Sequence, residues 1–144
     1  LIISASEDVG NADPDALRVA VAAAQAVQFI GMPEGKIPLA QAVTYLASAP
    51  KSNAAYKAVN KAGKFVAQTG SLEVPLWLRN PSDKGAREAG HGLGYKYPHD
   101  YPGGFVKQDY LPQEALGERF YLPKEIGREK IIKERLDKLK GTKA

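Results

Sequence analysis

The sequence contains no cysteine and only two histidines, His91 and His99. The absence of cysteine excludes disulfides, thiol nucleophiles and thiolate zinc sites, and it is typical of a reducing, cytoplasmic setting. His91 and His99, with Asp100 and Asp109, are residue types that supply metal ligands or a general base. Because His99 and Asp100 are only an adjacent pair, and no cysteine supports them, the set is too sparse for either role. We therefore predict no metal site and no catalytic residues.

Long apolar runs are also missing. The opening Leu1-Ile2-Ile3 is too short for the apolar region of a signal peptide and runs directly into Glu7. No later stretch has the length that a membrane-spanning helix needs, so we expect no membrane partner. The only methionine, Met32, lies well inside the chain, which indicates a piece of a longer protein. The 144 residues, 44% of them hydrophobic, suffice for one domain with a core.

Acidic and basic side chains balance except at the carboxyl end. Residues 124–144 carry eight basic and four acidic side chains, and this excess equals the formal net charge of the whole chain, +4. The basic pI of the chain, 9.2, therefore results from the charge of the tail. It is weak evidence that the folded body binds nucleic acid. We predict a helical body over 1–122 and a charged carboxyl-terminal helix or tail over 123–144.

Three segments of the body space their apolar residues as helices do: 13–30, 38–49 and 52–68. Asp13 and Pro14 suit the cap and first turn of the first helix, and Gly31 ends it. The many alanines of this helix allow another helix to approach closely, which predicts burial on more than one side. A charged helix is expected over 125–140. Short connections between consecutive helices predict an all-α helical bundle.

The segment 90–112 suits neither a regular helix nor a strand, because glycine and proline interrupt it repeatedly. Its aromatic rings can bury much apolar area without regular structure. This composition favours an ordered, irregular loop that packs on the body. We expect a structural role for eight of its residues: Gly94, Tyr95, His99, Asp100, Tyr101, Pro102, Gly103 and Gly104.

A nucleic-acid contact is the alternative interpretation of this loop. Lys96 stands among Tyr95, Tyr97 and Tyr101, an arrangement in which rings stack on bases and the ammonium binds phosphate. On this hypothesis, single-stranded or forked DNA binds through Lys96, Lys107 and the neighbouring rings. The residues that the hypothesis assigns to nucleic acid are Lys51, Arg79, Lys96, Tyr97 and Lys107.

Two glycine-rich stretches imitate nucleotide-binding motifs. GMPEGKI at 31–37 has three residues between its glycines where a phosphate loop has four, and Ile37 replaces the Ser or Thr that binds the metal. It also follows a predicted helix rather than a strand. GHGLG at 90–94 lacks the strand and helix that flank a dinucleotide fingerprint. We therefore predict no cofactor site in the chain.

Four blocks, spread from residue 4 to residue 112, carry a family resemblance: SASEDVGNADP at 4–14, GMPEGKIPLAQAVTYLASAPKSNAAY at 31–56, VPLWLRN at 74–80 and GYKYPHDYPGGFVKQDYLP at 94–112. They resemble the carboxyl-terminal region of the replication-associated recombination protein A family. These AAA+ ATPases are also called maintenance of genome stability protein A, with relatives among the Werner-helicase-interacting proteins. Trp77 stands where the family usually has His. Lys84, Gly85 and Ala86 replace apolar residues, which weakens the expectation of a helix after Asn80.

The resemblance implies a fragment that follows an ATPase core and lid and folds like the all-helical collar domain of clamp-loader subunits. It implies that the fragment holds its parent together as a homotetramer at stalled or gapped replication forks. ATP-binding, Mg-binding and catalytic residues would lie upstream of Leu1, so the chain itself should not hydrolyse ATP.

The partners that the resemblance implies are further copies of the chain, DNA at forks through the full-length protein, and single-strand-binding protein or replisome components. The setting it implies is cytoplasmic and nucleoid-associated. An assembly domain is thus the first functional hypothesis, and a DNA-contacting module is the second.

Overall fold

Helices and turns make up all the regular structure of residues 1–141, the part of the chain that this computed structural model describes. This confirms the all-α class; the last three residues of the predicted tail lie outside the described part. The α-helices are α1 Ile2–Ser4, α2 Asp15–Ile30, α3 Lys36–Ser48, α4 Ala54–Thr69, α5 Lys84–Glu88 and α6 Glu129–Lys140. A π-helical turn lies at Ala5–Val9, and 3-10 turns lie at Gly10–Ala12, Leu76–Leu78, Pro98–Asp100, Pro102–Gly104 and Gln113–Ala115. Within 1–141, every helix is too short or too polar to cross a bilayer.

The ends of α2 follow from local sequence signals. Asp13 Oδ1 accepts a hydrogen bond from the backbone N–H of Asp15 at 3.1 Å. Gly31, with a φ of 69°, ends the helix, and its N–H donates to the carbonyl of Val27. Larger apolar side chains of α2, such as Leu17, stay partly exposed, so contacts within the described residues 1–141 do not bury the helix on more than one side as expected. The buried face of α2 consists of Ala16, Ala20 and Ala23.

Helix α3 packs against α2 and contributes to the core. Its Leu46 joins a buried apolar cluster that also contains Ala5, Val9, Ala16 and Ala20. Tyr45 OH donates a hydrogen bond to Asp13 Oδ2 at 2.8 Å, which connects α3 to the start of α2. This bond to a carboxylate raises the pKa of Tyr45. The predicted starts of α3 and α4 each differ by two residues from the observed ones.

The chain forms two compact units. Unit 1 comprises residues 1–64 and the segment from 120 onward, and unit 2 comprises residues 65–119. The boundaries differ from the division at 122 that the charge pattern suggests. Unit 1 contains most of the buried apolar side chains, whereas unit 2 buries Val106 and Ala115.

The short helix α5 forms after Asn80 in spite of Gly85. Asp83 Oδ1 accepts a hydrogen bond from the backbone N–H of Ala86 at 2.8 Å and so caps the helix. This hydrogen bond is the main reason that the pKa of Asp83 is lowered. Lys84, Gly85 and Ala86 weaken the expectation of a helix here. The Asp83 cap nevertheless supports a helix of five residues.

Helix α6 begins four residues later than the sequence predicts. Gly127 has a φ of 52°, a value that ends any helical path leading into it. The backbone N–H of Arg128 donates to the carbonyl of Ala12 at 2.8 Å, which fixes the turn before the helix starts. Its first residue, Glu129, is fully buried. The charged carboxyl-terminal helix is therefore part of unit 1 and not a solvated tail.

Candidate functional site

A buried carboxylate joins three segments of unit 1. Glu129 is 0% exposed, and its Oε2 accepts hydrogen bonds from Ser52 Oγ at 2.6 Å and from the backbone N–H of Lys124 at 2.9 Å. Glu129 Oε1 accepts a hydrogen bond from Tyr121 OH at 2.8 Å. Tyr121 OH in turn accepts one from Asn11 Nδ2 at 3.1 Å. We call Asn11, Ser52, Tyr121 and Glu129 the carboxylate cluster.

The carboxylate cluster is a structural element. Burial is the main cause that raises the pKa of Tyr121, and its hydrogen bond to Glu129 adds to the effect. Tyr121 therefore keeps the proton with which it binds the carboxylate. Among the described residues, every buried side-chain N or O atom has a hydrogen-bond partner. No three His, Cys, Asp or Glu side chains within 1–141 lie together as metal ligands would.

The sequence interpretation missed this cluster because Glu129 fits the pattern of an exposed helix. Its spacing to Lys133 predicts an i,i+4 ion pair on a solvated face. In the structure Glu129 is buried, and Lys133 pairs with Glu125 at 3.2 Å and with Asp137 at 3.1 Å. The nearest local feature was Gly127, two residues before; a glycine permits other chain segments to approach closely but does not show which ones do.

Four exposed, large apolar side chains lie within nine consecutive residues, 29–37, at the turn between α2 and α3. Phe29 is 88% exposed and Ile37 is 71% exposed, although both are strongly apolar. Ile30 and Met32 are also more than half exposed. Exposed apolar groups concentrated in this way are typical of an interaction surface, whereas single ones are ordinary. We call Phe29, Ile30, Met32 and Ile37 the turn patch.

Hydrogen bonds from a side chain to the backbone shape the segment 90–112, which we call the aromatic loop. Gln108 Nε2 donates to the carbonyl of Lys96 at 2.7 Å, and Gln108 Oε1 accepts from the N–H of Lys96 at 3.2 Å. The amide thus pairs with the backbone as a neighbouring strand would. Gly103, with a φ of 72°, turns the chain within Pro102–Gly104. This loop contains all eight residues that were assigned a structural role: Gly94, Tyr95, His99, Asp100, Tyr101, Pro102, Gly103 and Gly104.

The rings of the aromatic loop are only partly covered. Tyr97 is 53% exposed and Tyr101 is 37% exposed. The ring centres of Tyr97 and His99 lie 5.1 Å apart at a tilt of 48°, a contact within the loop. Trp77 lies outside the loop and donates from Nε1 to the carbonyl of Asp109 at 3.0 Å. The rings therefore pack less completely than the sequence suggests.

The residues assigned to a nucleic-acid contact do not form one site within either unit. Lys51 belongs to unit 1, where its Nζ donates to the carbonyls of Leu46 and Ala49 at 2.6 Å each. Unit 2 has six basic and seven acidic side chains, a balance that attracts phosphate weakly. Arg79 is paired with Glu73 at 2.7 Å. Unit 2 contains the remaining four of these residues: Arg79, Lys96, Tyr97 and Lys107.

One face of α4 carries polar and basic side chains that the sequence interpretation left unassigned. Successive members are four, three and four residues apart, which places them on one side of a helix. We call them the basic row: Asn53, Lys57, Asn60 and Lys64. The signal for this row was the absence of any acidic residue between Glu34 and Glu73. The balanced charge of the body as a whole concealed it.

Comparison with known proteins assigns the family. The family described as MgsA AAA+ ATPase C terminal matches residues 1–140. The chain belongs to this family. Replication-associated recombination protein A of Coxiella burnetii is 49% identical over 134 residues, which cover 92% of the chain. The protein of the same name from Bacillus subtilis is 41% identical over 140 residues, or 96% of the chain. The ATPase WRNIP1 of Dictyostelium discoideum is 38% identical over 122 residues, or 84% of the chain.

The MgsA family membership confirms the resemblance that the four sequence blocks carry. The chain spans 30% of the length of the Coxiella relative, 33% of the Bacillus relative and 14% of the Dictyostelium relative. It is therefore similar to one region of proteins that are several times longer. The region that the chain matches is the one that the family describes as the carboxyl-terminal part of MgsA AAA+ ATPases.

Proposed function

We propose that the chain is a self-association domain, which holds copies of an AAA+ ATPase together. The observation that carries this proposal is the turn patch, because its four side chains are the kind of surface that a second copy would cover. ATP binding and hydrolysis belong, on this proposal, to the part of the relatives that the chain does not span. DNA at replication forks is then a partner of the assembled parent.

The turn patch offers enough apolar surface to stabilise a contact between copies. Full burial of one large apolar side chain contributes roughly 1.5–3 kcal/mol. A two-fold contact would bury the patch of both copies, so its eight side chains together contribute at most roughly 12–24 kcal/mol. Association costs about 4–15 kcal/mol in lost freedom of motion, and the apolar contribution is of the same size or larger. Identical subunits usually cover such surfaces through symmetric contacts.

A tetramer is the assembly that the family resemblance favours. Four copies of the 15.5 kDa chain would have a mass of about 62 kDa. The turn patch supports association but does not by itself set the number of copies. Removal of the residues after Leu122 would test whether the carboxyl-terminal segment is needed for association. In the structure that cut removes Glu129, whose carboxylate bonds to Ser52 and Tyr121, so single substitutions are the cleaner test.

Light scattering on the 144-residue chain at several concentrations tests this proposal. The variant Phe29→Asp with Ile37→Asp should reduce the mass to that of one copy, because charge at the turn patch opposes its burial. The matched control is Leu93→Asp with Ile131→Asp, two exposed apolar residues elsewhere, which should leave the mass unchanged. A wild-type chain that stays at 15.5 kDa throughout would refute self-association. An equal loss in both variants would refute its placement at the turn patch.

A further inference from the structure

The chain contains a long interval without acidic residues. Between Glu34 and Glu73 the sequence has five lysines and no carboxylate side chain. The rest of the body, residues 1–122 outside this interval, has seven basic and twelve acidic side chains and is therefore net acidic. Helix α4 lies entirely inside this interval. Its surface therefore carries positive charge that no acidic side chain of the same helix neutralises.

The basic row concentrates this charge on one face. From Asn53 to Lys64 the row extends for about 16 Å at the rise of an α-helix. Lys57, Asn60 and Lys64 are exposed. Asparagine amides and lysine ammonium groups both donate hydrogen bonds to phosphate oxygens. Lys61 belongs to a different face, where its ammonium lies 5.6 Å from the centre of the Phe120 ring.

A cavity in unit 1 adds two more ammonium groups at the start of this row. It has a volume of about 390 Å³ and is lined by Asp8, Lys51, Asn53 and Lys124. Lys124 Nζ donates to Asn53 Oδ1 at 2.9 Å, and backbone carbonyls hold Lys51 Nζ in place. Asp8 is the one carboxylate in this lining, and it accepts a hydrogen bond from Ser4 Oγ at 2.6 Å. Two chain segments, one of which also contains Asn53, thus bring the ammonium groups of Lys51 and Lys124 to the first residue of the row.

We propose that the basic row, with Lys51 and Lys124 at its head, binds the phosphate backbone of nucleic acid without regard to sequence. A row of about 16 Å matches the length of duplex axis over which one strand places four to five phosphates, at a rise of about 3.4 Å each, so it can contact several of them. Nitrogen donors, repeated at intervals of about one helical turn, fit a polymer with a repeating acceptor. The row includes no ring or apolar pocket that would select a base or a peptide side chain.

An anionic membrane surface is the main alternative ligand. Helix α4 also exposes Tyr56, Val59 and Val66, and a basic helix with an exposed apolar stripe is a known membrane-binding pattern. Membrane binding would need the apolar stripe and the basic row together. Nucleic-acid binding needs the basic row alone. Substitution of the apolar stripe should therefore reduce membrane binding and leave nucleic-acid binding unchanged.

The proposal is tested by measuring binding affinity between 50 and 200 mM salt. Fluorescence anisotropy is used with two labelled probes, an oligo(dT) of 20 nucleotides and a duplex of 20 base pairs. Lys57→Glu with Lys64→Glu should weaken binding at least tenfold at 50 mM salt. It should also reduce the slope of log affinity against log salt by about two. The matched control, Lys96→Glu with Lys107→Glu, makes the same charge change in the aromatic loop and should alter affinity less than twofold. Lys57→Gln with Lys64→Gln replaces the first variant if the Glu variant does not fold.

Three outcomes would overturn the proposal. The first is a wild-type chain that binds neither probe at 50 mM salt. The second is an equal or larger loss in the loop variant, which would place the contact in the aromatic loop. The third is lysine-dependent binding to phosphatidylserine vesicles that is lost with Val59→Ser, without binding to either oligonucleotide. The mass of each variant by light scattering shows separately whether self-association persists, so the two proposals stand or fall independently.

Discussion

Unit 1 and unit 2 achieve ordered structure by different means. Unit 1 buries small apolar side chains and one carboxylate between helices, and its core cluster contains Ala5, Val9, Ala16, Ala20 and Leu46. Unit 2 buries Val106 and Ala115, but seven of its glycines have positive φ, against four in the described part of unit 1. Side-chain burial thus specifies unit 1, whereas unit 2 depends on particular backbone conformations and on side chains that bond to the backbone.

The largest effect that this comparison predicts is at Glu129. Glu129→Ala leaves the donors of Ser52, Tyr121 and Lys124 without their acceptor and opens a cavity in unit 1. We expect a loss of about 3 kcal/mol or more in the free energy of unfolding, measured by urea denaturation. Hydrogen exchange of the backbone amides of unit 1 should become faster in this variant.

The control for this prediction is Glu125→Ala in the same charged segment. Glu125 is largely exposed and pairs with Lys133 at 3.2 Å, so its removal should cost less than about 1 kcal/mol. Similar losses in the two variants would show that the carboxylate cluster does not hold unit 1 together.

The second largest effect compares one glycine from each unit. A Cβ at Gly127 would lie too close to the carbonyl oxygen of Ala12 and 2.9 Å from Pro50 Cγ. Gly127→Ala should therefore cost about 3 kcal/mol, because the clash adds to the strain of a positive φ. Gly103 also has a positive φ, but a Cβ there would meet no atom within 4 Å. Gly103→Ala should therefore reduce the free energy of unfolding by only about 1 kcal/mol. Thermal melting of both variants measures the difference, and equal shifts would contradict it.

Helix ends that depend on local residues can be predicted from the sequence, whereas those that depend on distant contacts cannot. The starts and ends of α2, α3 and α4 follow from residues within a few positions, such as Asp13 and Gly31, and the predicted bounds agree within two residues. The late start of α6 depends on Gly127 and on a bond from Arg128 to Ala12, far away along the chain. No local pattern contains that contact. The burial of Glu129 has the same origin, so the sequence alone assigned it to a solvated face.

Some of the candidate functional residues can be found from the sequence, and others only from the fold. The charge interval that contains α4 can be counted in the sequence, and helical spacing aligns Lys57 with Lys64. The cavity at the head of the row cannot be found by counting, because Lys124 reaches Asn53 only through the fold of unit 1. Exposure of the turn patch is also a property of the fold. Phe29 and Ile37 are residue types that a sequence pattern would assign to a core.

A smaller effect is expected at Tyr101 in unit 2. Truncation of a fully buried aromatic side chain costs about 3–5 kcal/mol, but the ring of Tyr101 is 37% exposed. We expect Tyr101→Ala to cost about 1–2 kcal/mol in urea denaturation. Tyr101→Phe, which keeps the ring, serves as the control and should cost less than about 0.5 kcal/mol. A loss above 3 kcal/mol would show that unit 2 relies on ring burial as unit 1 relies on its core.

The smallest expected effect, and the only gain, is at Gly63, next to the point where α4 passes from unit 1 to unit 2. A Cβ at Gly63 meets no atom within 4 Å. Gly63→Ala should therefore stabilise the chain by about 0.5–1 kcal/mol through helix propensity and a less flexible unfolded state, and raise its melting temperature. Ala67→Gly, on the same helix, should lower it by a similar amount. If Gly63→Ala instead lowers the mass in light scattering, another helix approaches α4 closely at this glycine. Self-association would then belong to α4 rather than to the turn patch.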